Sequence, residues 1–200
     1  KIGCLPHSPS LHRVTDDHCG MVRSAMRRAL AAGYVRIGLV MTSWWDDSAE
    51  QAWSAGFLSE QSRLPIHTRI PVLPLTGGQQ EWASGQPAQS YSAETSALAQ
   101  WYDAYRPEVI LAFSPAVLTQ LNHLGLAVPQ EVGYVDLCLE CSDHSVAGFR
   151  QNSENTGEVA VSTLVAQLQE NTLGVPSVAT STLVGGTWVE GASLPSIASG

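Results

Sequence analysis

The sequence predicts an α/β domain built on a mostly parallel sheet. Three near-continuous apolar runs point to it: VRIGLVM (35–41), EVILAF (108–113) and EVGYVDL (131–137). Strands covered by helices on both faces read as unbroken apolar runs, whereas half-exposed strands alternate. Each run also follows a helix-like segment and a breaker, so helix and strand alternate along the chain.

The elements can be justified in order. Val22, Ala25, Met26 and Ala29 recur at helical spacing, with Asp16 or Asp17 placed to cap the start and Gly33 to end the helix before the first strand. The segments from Asp46 to Arg63 and from Ala93 to Tyr105 read as two further helices. Between them, TGGQQEWASGQPAQS (76–90) is polar, rich in Gly and Gln, and expected to be a surface loop. Pro107 introduces the second strand. Ser114-Pro115 before VLTQLNHL is an N-cap followed by proline at the first helical position. Gly125 and Pro129 then separate that helix from the third strand. Ala160, Val161, Leu164 and Leu168 stripe another helix after Asn152 or Ser153, and the small, polar tail from Ala192 to Gly200 is expected to fray.

Composition narrows the function classes. A hydrophobic fraction of 44% and a charged fraction of 14% over 200 residues describe an ordinary globular chain, one domain or two small lobes. No apolar run approaches the roughly 20 residues that span a bilayer, so no membrane partner is expected. KIGCLPHSPS is too short and too polar for a signal peptide. The chain starts at Lys1 rather than Met, which places the expected natural N-terminus upstream. A formal net charge of −8 argues against this segment gripping nucleic acid by itself. Its dense basic run, Arg23, Arg27 and Arg28, reads as a solvated helix face. Cys4, Cys19, Cys138 and Cys141 do not form a disulfide scaffold in a chain this long, and reduced cytoplasmic thiols are the expectation.

Open parallel sheets bind ligands beyond the carboxyl ends of their strands. Those ends carry Thr42 to Asp47, Phe113 with Ser114, and Val135 with Asp136. Trp44-Trp45-Asp46-Asp47 sets two aromatic faces beside two carboxylates, a group suited to a sugar or another polyol. The plainer reading packs a tryptophan into the core and uses the acids as helix caps. Asp136 carries the same two readings. Cys138-Leu-Glu-Cys141, with Asp143 and His144, lacks a second ligand pair at zinc spacing and a clear helix start for thioredoxin-like chemistry. His7, His12 and His18 lack a convincing partner in the sequence. There is no G-x-S-x-G, Walker loop or G-x-G-x-x-G. No cofactor or metal is expected, and no pattern argues for an enzyme.

The order of segments carries a resemblance. DDHCGMVRSAMRRALAAGYVRIGLV resembles the helix, Gly-aromatic turn and strand of lac-repressor-family regulators, and AWSAGF (52–57) their next helix. PEVILAFSPAVLTQLNHLGLAVPQEVGYVDL is similar to the family's strand, helix, G-L-x-V-P-x-x-V and strand series. AGFRQNSENTGEVAVSTLVAQL resembles the segment that returns to the first lobe, and STLVGGTWVEGASL the closing strand.

The resemblance implies a two-lobed fold like that of the type I periplasmic sugar-binding proteins, with the first lobe incomplete. Residues 17–138 would form the C-terminal lobe, and 1–16 with 139–200 parts of the N-terminal lobe. It further implies a cytoplasmic, homodimeric transcription factor that senses a small effector, sugar or related, and meets operator DNA through a helix-turn-helix head outside this chain. Asp17, Asp136 and Gln151 match effector-site positions. Trp53 (or Gln51, if the register slips) stands where the family has a sugar-clamping arginine, and Phe113-Ser114 where it has Asn-Asp. With the strand-end cluster added, the expected ligand set is Asp17, Trp44, Trp45, Asp46, Trp53, Phe113, Ser114, Asp136 and Gln151, a cleft more aromatic and less charged than the family pattern. A secreted or periplasmic sugar-binding protein of the same fold is the alternative.

Overall fold

The structure, a computed structural model, describes residues 10–76, 91–139 and 144–197. The three apolar runs form β2 (Ile37–Thr42), β4 (Val109–Ala112) and β5 (Gly133–Asp136), paired in parallel as the sequence predicts. β3 (Leu73–Leu75) joins β2, and β6 (Ala147–Arg150) joins β5, also in parallel. β8 (Thr187–Val189) closes the edge antiparallel to β6, giving the order β3-β2-β4-β5-β6-β8. β1 (Arg13–Asp16) and β7 (Ser181–Val184) make a separate two-stranded parallel sheet.

Successive strand residues face opposite sides of a sheet, and two cores follow from that alternation. Ile37, Leu39, Met41, Val109, Leu111 and Val135 pack with α1 (His18–Ala31) and α3 (Ala52–Gln61). Val40, Ile110, Ala112 and Tyr134 pack with α4 (Tyr91–Tyr105) and α5 (Pro115–His123). Gly38 shares this second face, where any Cβ would collide with the Trp101 ring. Arg23 and Arg27, expected as a solvated face, also clamp α1 to α3. Both donate to Glu60 Oε1, at 2.8 and 2.7 Å, and the Glu60 side chain is only 5% exposed. The two guanidinium groups hold that carboxyl well below its ordinary 4.5, at about 2.

Two expectations are corrected. The single helix read from Asp46 to Arg63 is two, α2 (Ser43–Ser48) and α3, parted where Glu50 and Gln51 adopt left-handed φ values of 55° and 60°. The tail does not fray over Ala192 to Ile197, and residues 198–200 lie outside the described set. The buried Ser193 hydroxyl donates to Tyr134 O at 2.6 Å and accepts from Ala147 N–H at 2.8 Å. Ile197 N–H reaches Ala32 O at 2.8 Å.

The small sheet is covered by α6 (Ser153–Gln169), which packs along β1 and buries Thr156. Its apolar stripe of Val161, Leu164, Val165 and Leu168 stays between 44% and 62% exposed. β6 and β8, on the far side of the division drawn at residue 138, are members of the large sheet. Three short connections therefore join the sheets: Asp17, residues 151–152 and residues 185–186. Asn152 ties two of them together, donating to Gly185 O at 2.7 Å and accepting from Thr187 Oγ1 at 3.0 Å. Among the described residues no helix is long and apolar enough to cross a membrane.

Candidate functional site

An open pocket of about 190 Å³ lies where β1 and β7 meet the start of α1 and the turn between α2 and α3. Its walls include Arg13 and Asp16 of β1, Asp17 and His18 at the entry to α1, Glu50 in the turn, and Leu183 of β7. Arg13 reaches from the small sheet to the turn, with Nη1 2.8 Å from Glu50 Oε1. Thr156 Oγ1 donates to Asp16 Oδ1 at 3.4 Å, and Asp17 Oδ1 caps α1 by accepting from Gly20 N–H at 2.9 Å. The His18 ring stacks on Trp53, centroids 4.4 Å apart and planes 20° from parallel. Burial lowers the His18 pKa from its ordinary 6.5, against the opposing pull of Asp16 and Asp17, so the imidazole is neutral at pH 7.

Behind His18 the aromatic row runs through the core and out to α2. Trp53 lies 4.7 Å from Phe113, Phe113 5.3 Å from Trp45, and Trp45 4.7 Å from Trp44. Such a row gives the imidazole a rigid backing and leaves carboxylates and one ring edge to meet a ligand. Chemically the pocket can accept hydrogen bonds from hydroxyl groups.

Of the residues singled out in the sequence, Asp17 lines this pocket. Trp53, 1% exposed, stands behind His18 inside the core, and Phe113 is buried beside it. Trp44, Trp45 and Asp46 are half-buried on α2, directly beyond β2. Asp46 Oδ1 accepts from Ser54 N–H at 3.1 Å, and Ser114 Oγ from Ala116 N–H at 3.2 Å. Asp136, 7% exposed at the end of β5, accepts from Cys138 N–H at 2.8 Å. Those three side chains thus each hold the turn that follows them. Gln151 is half-buried just after β6. His7, Cys141 and Asp143 lie outside the described residues. Among those described, no three His, Cys, Asp or Glu side chains converge as a metal site.

Residues 26–194 match the family described as "Periplasmic binding protein-like domain". The chain belongs to that family. The ends of β2, β4 and β5 and the α2–α3 turn fall inside the matched segment, whereas Arg13, Asp16, Asp17 and His18 precede it. No curated protein matches the chain. Many solved structures share the family's fold. A LacI family transcriptional regulator from Enterococcus faecium with bound ribose has a TM-score of 0.67 at 15% identity, over 93% of this chain and 66% of that one. A LacI family transcriptional regulator from Silicibacter pomeroyi gives 0.66 at 19%, over 96% and 68%. A complex of the transcriptional regulator CelR with cellobiose gives 0.65 at 17%, over 96% and 57%. At such identities the likeness is one of fold, and this chain spans about two thirds of the first matched structure's length, 66%.

Sequence reasoning passed over Arg13 and Glu50, and noted His18 only as a histidine without a convincing partner. Their signal is not local, because the β1–β7 pairing sets Arg13 against Ser181 and the left-handed turn turns Glu50 back toward β1.

Proposed function

We propose that the chain is the effector-sensing part of a LacI-type transcriptional regulator, taking a small, sugar-like molecule between two lobes. One lobe is based on the six-stranded sheet; the other includes β1, β7 and α6. The observation that carries this reading is the pocket at the meeting of the two sheets, whose walls combine carboxylates with a backed imidazole. Ribose and cellobiose in two proteins of the same fold support a sugar-like ligand. Hydroxyl donors suit Asp16, Asp17 and Glu50 in the pocket wall; Trp53 and Phe113 stand behind it, and Trp44, Trp45, Asp46, Ser114, Asp136 and Gln151, around the strand ends, are the further candidates for ligand contact.

The mechanism is binding rather than turnover. A ligand that prefers one arrangement of the lobes shifts the population towards it, and in a cytoplasmic homodimer that shift biases a DNA-binding head outside this chain. The net charge of −8 accords with operator contacts being made elsewhere. Calorimetric titration with D-ribose, cellobiose and D-glucose tests the first step. One site per chain for a neutral sugar is expected, with affinity reduced at least tenfold in Asp16→Asn; a panel without any binder contradicts the reading.

A further inference from the structure

Among the described residues, the charged groups in the pocket wall are paired within the protein. Arg13 holds Glu50, Asp16 accepts from Thr156, and Asp17 accepts from Gly20. His18 offers one ring face to Trp53, but neither ring nitrogen has a hydrogen-bond partner among the described residues. A donor and an acceptor withdrawn from water and left unpaired cost roughly 1–3 kcal/mol, so folded chains place such groups where an outside partner reaches them. Here His18 lines an open pocket and its nitrogens are not fully buried, so water or a ligand hydroxyl can serve them.

The ring is also held in place. Trp53 is packed against Phe113 in the core, so the plane on which His18 rests has no freedom to adapt. An imidazole fixed in this way presents its nitrogens at a set angle and loses little entropy on binding. The neutral form offers a donor on one nitrogen and an acceptor on the other, and a ligand hydroxyl, itself donor and acceptor, can pair with either. The charges around it are selective as well. Asp16, Asp17 and Glu50 set three carboxylates against one guanidinium, Arg13, which is already paired, so an anionic ligand meets net repulsion.

We infer that His18 is a specificity-determining residue of this pocket, hydrogen-bonding the hydroxyls of an uncharged, ring-shaped polyol while Trp53 fixes its plane. The inference rests on reading the pocket as the effector site, and it gives His18 a hydrogen-bonding role in selectivity which that reading does not. His18→Phe keeps a ring on Trp53 and removes both nitrogens; His18→Gln restores a donor and an acceptor without the ring.

The test is calorimetric titration of the whole chain, wild type and both variants, with D-ribose, cellobiose, D-glucose, ribose 5-phosphate and D-glucuronate. The expected result is a neutral sugar bound by the wild type at least tenfold more tightly than either anionic one. His18→Phe should weaken that sugar tenfold or more at an unchanged melting temperature, and His18→Gln should recover part of the loss. Wild-type affinity in His18→Phe, or preference for an anionic sugar, overturns the assignment. A wild type that binds no member of the panel contradicts the effector reading itself and removes the assignment with it. That outcome differs visibly from a wild type and variants that bind alike.

Discussion

The six-stranded sheet and the β1–β7 pair obey the same local rules and end in different states. In the large sheet, alternate residues of β2, β4 and β5 meet helices on both faces, and α1 buries Met21, Val22, Ala25, Met26 and Ala29. In the small one, α6 also carries an apolar stripe, weaker than that of α1, yet Val161, Leu164 and Leu168 remain exposed, as does Leu183 of β7. Periodicity made both helices. Only a second layer of chain on the far side turns an apolar stripe into a core. Parallel strands are rarely left open, and two strands alone are marginal, so stability within this molecule is uneven.

That contrast can be broken by substitution. Leu111→Ala, in the middle of the large sheet, should cost about 3 kcal/mol in urea unfolding. Leu164→Ala, chemically the same change on α6, should fall within about 0.5 kcal/mol of wild type. Equal costs would mean that the α6 face is covered in solution. Glu60→Gln comes next, at about 1–2 kcal/mol, discounted because its arginine partners are 37–62% exposed. Its pH dependence has a definite sign. The folded pKa of about 2 lies below the ordinary 4.5, so the stabilisation is complete above pH 4.5 and lost as pH falls towards 2. Stability measured across that window should fall more shallowly in the variant.

How much of this was legible beforehand follows the same division. β2, β4 and β5 were readable because burial on both faces writes itself as an apolar run. Ser114-Pro115 was readable because a cap and a first-turn proline are neighbours in sequence. The break at Glu50 and Gln51 was not, since neither is the Gly or Asn that usually signals a left-handed turn. The pocket was not legible either: Arg13, Glu50 and Leu183 come together only through a strand pairing that spans most of the chain. Trp53 was noticed for its aromatic face, and its burial behind His18 could not be known without the packing of α3 on the sheet.

Two smaller effects sharpen the comparison. Ser193→Ala removes a buried hydroxyl that both donates and accepts, and should lower stability by about 1 kcal/mol, with faster amide exchange at Ala147. Glu50→Gln loosens the Arg13 contact between the small sheet and the α2–α3 turn. It should cost no more than about 0.5 kcal/mol, because Glu50 is largely solvated, and should appear as faster exchange in β1 with β4 unchanged. A change confined to β4 would reverse the assignment of that contact.

The position of Ser193 also sets a timetable. β6 needs β8 along its outer edge, and Tyr134 and Ala147 need Ser193, but Ser193 follows Ala147 by 46 residues and Tyr134 by 59. At roughly 5–20 residues per second, the β6 edge stands unpaired for on the order of seconds after it leaves the exit tunnel. The large sheet is the better-built half of the finished molecule, and during synthesis it is the half that must wait.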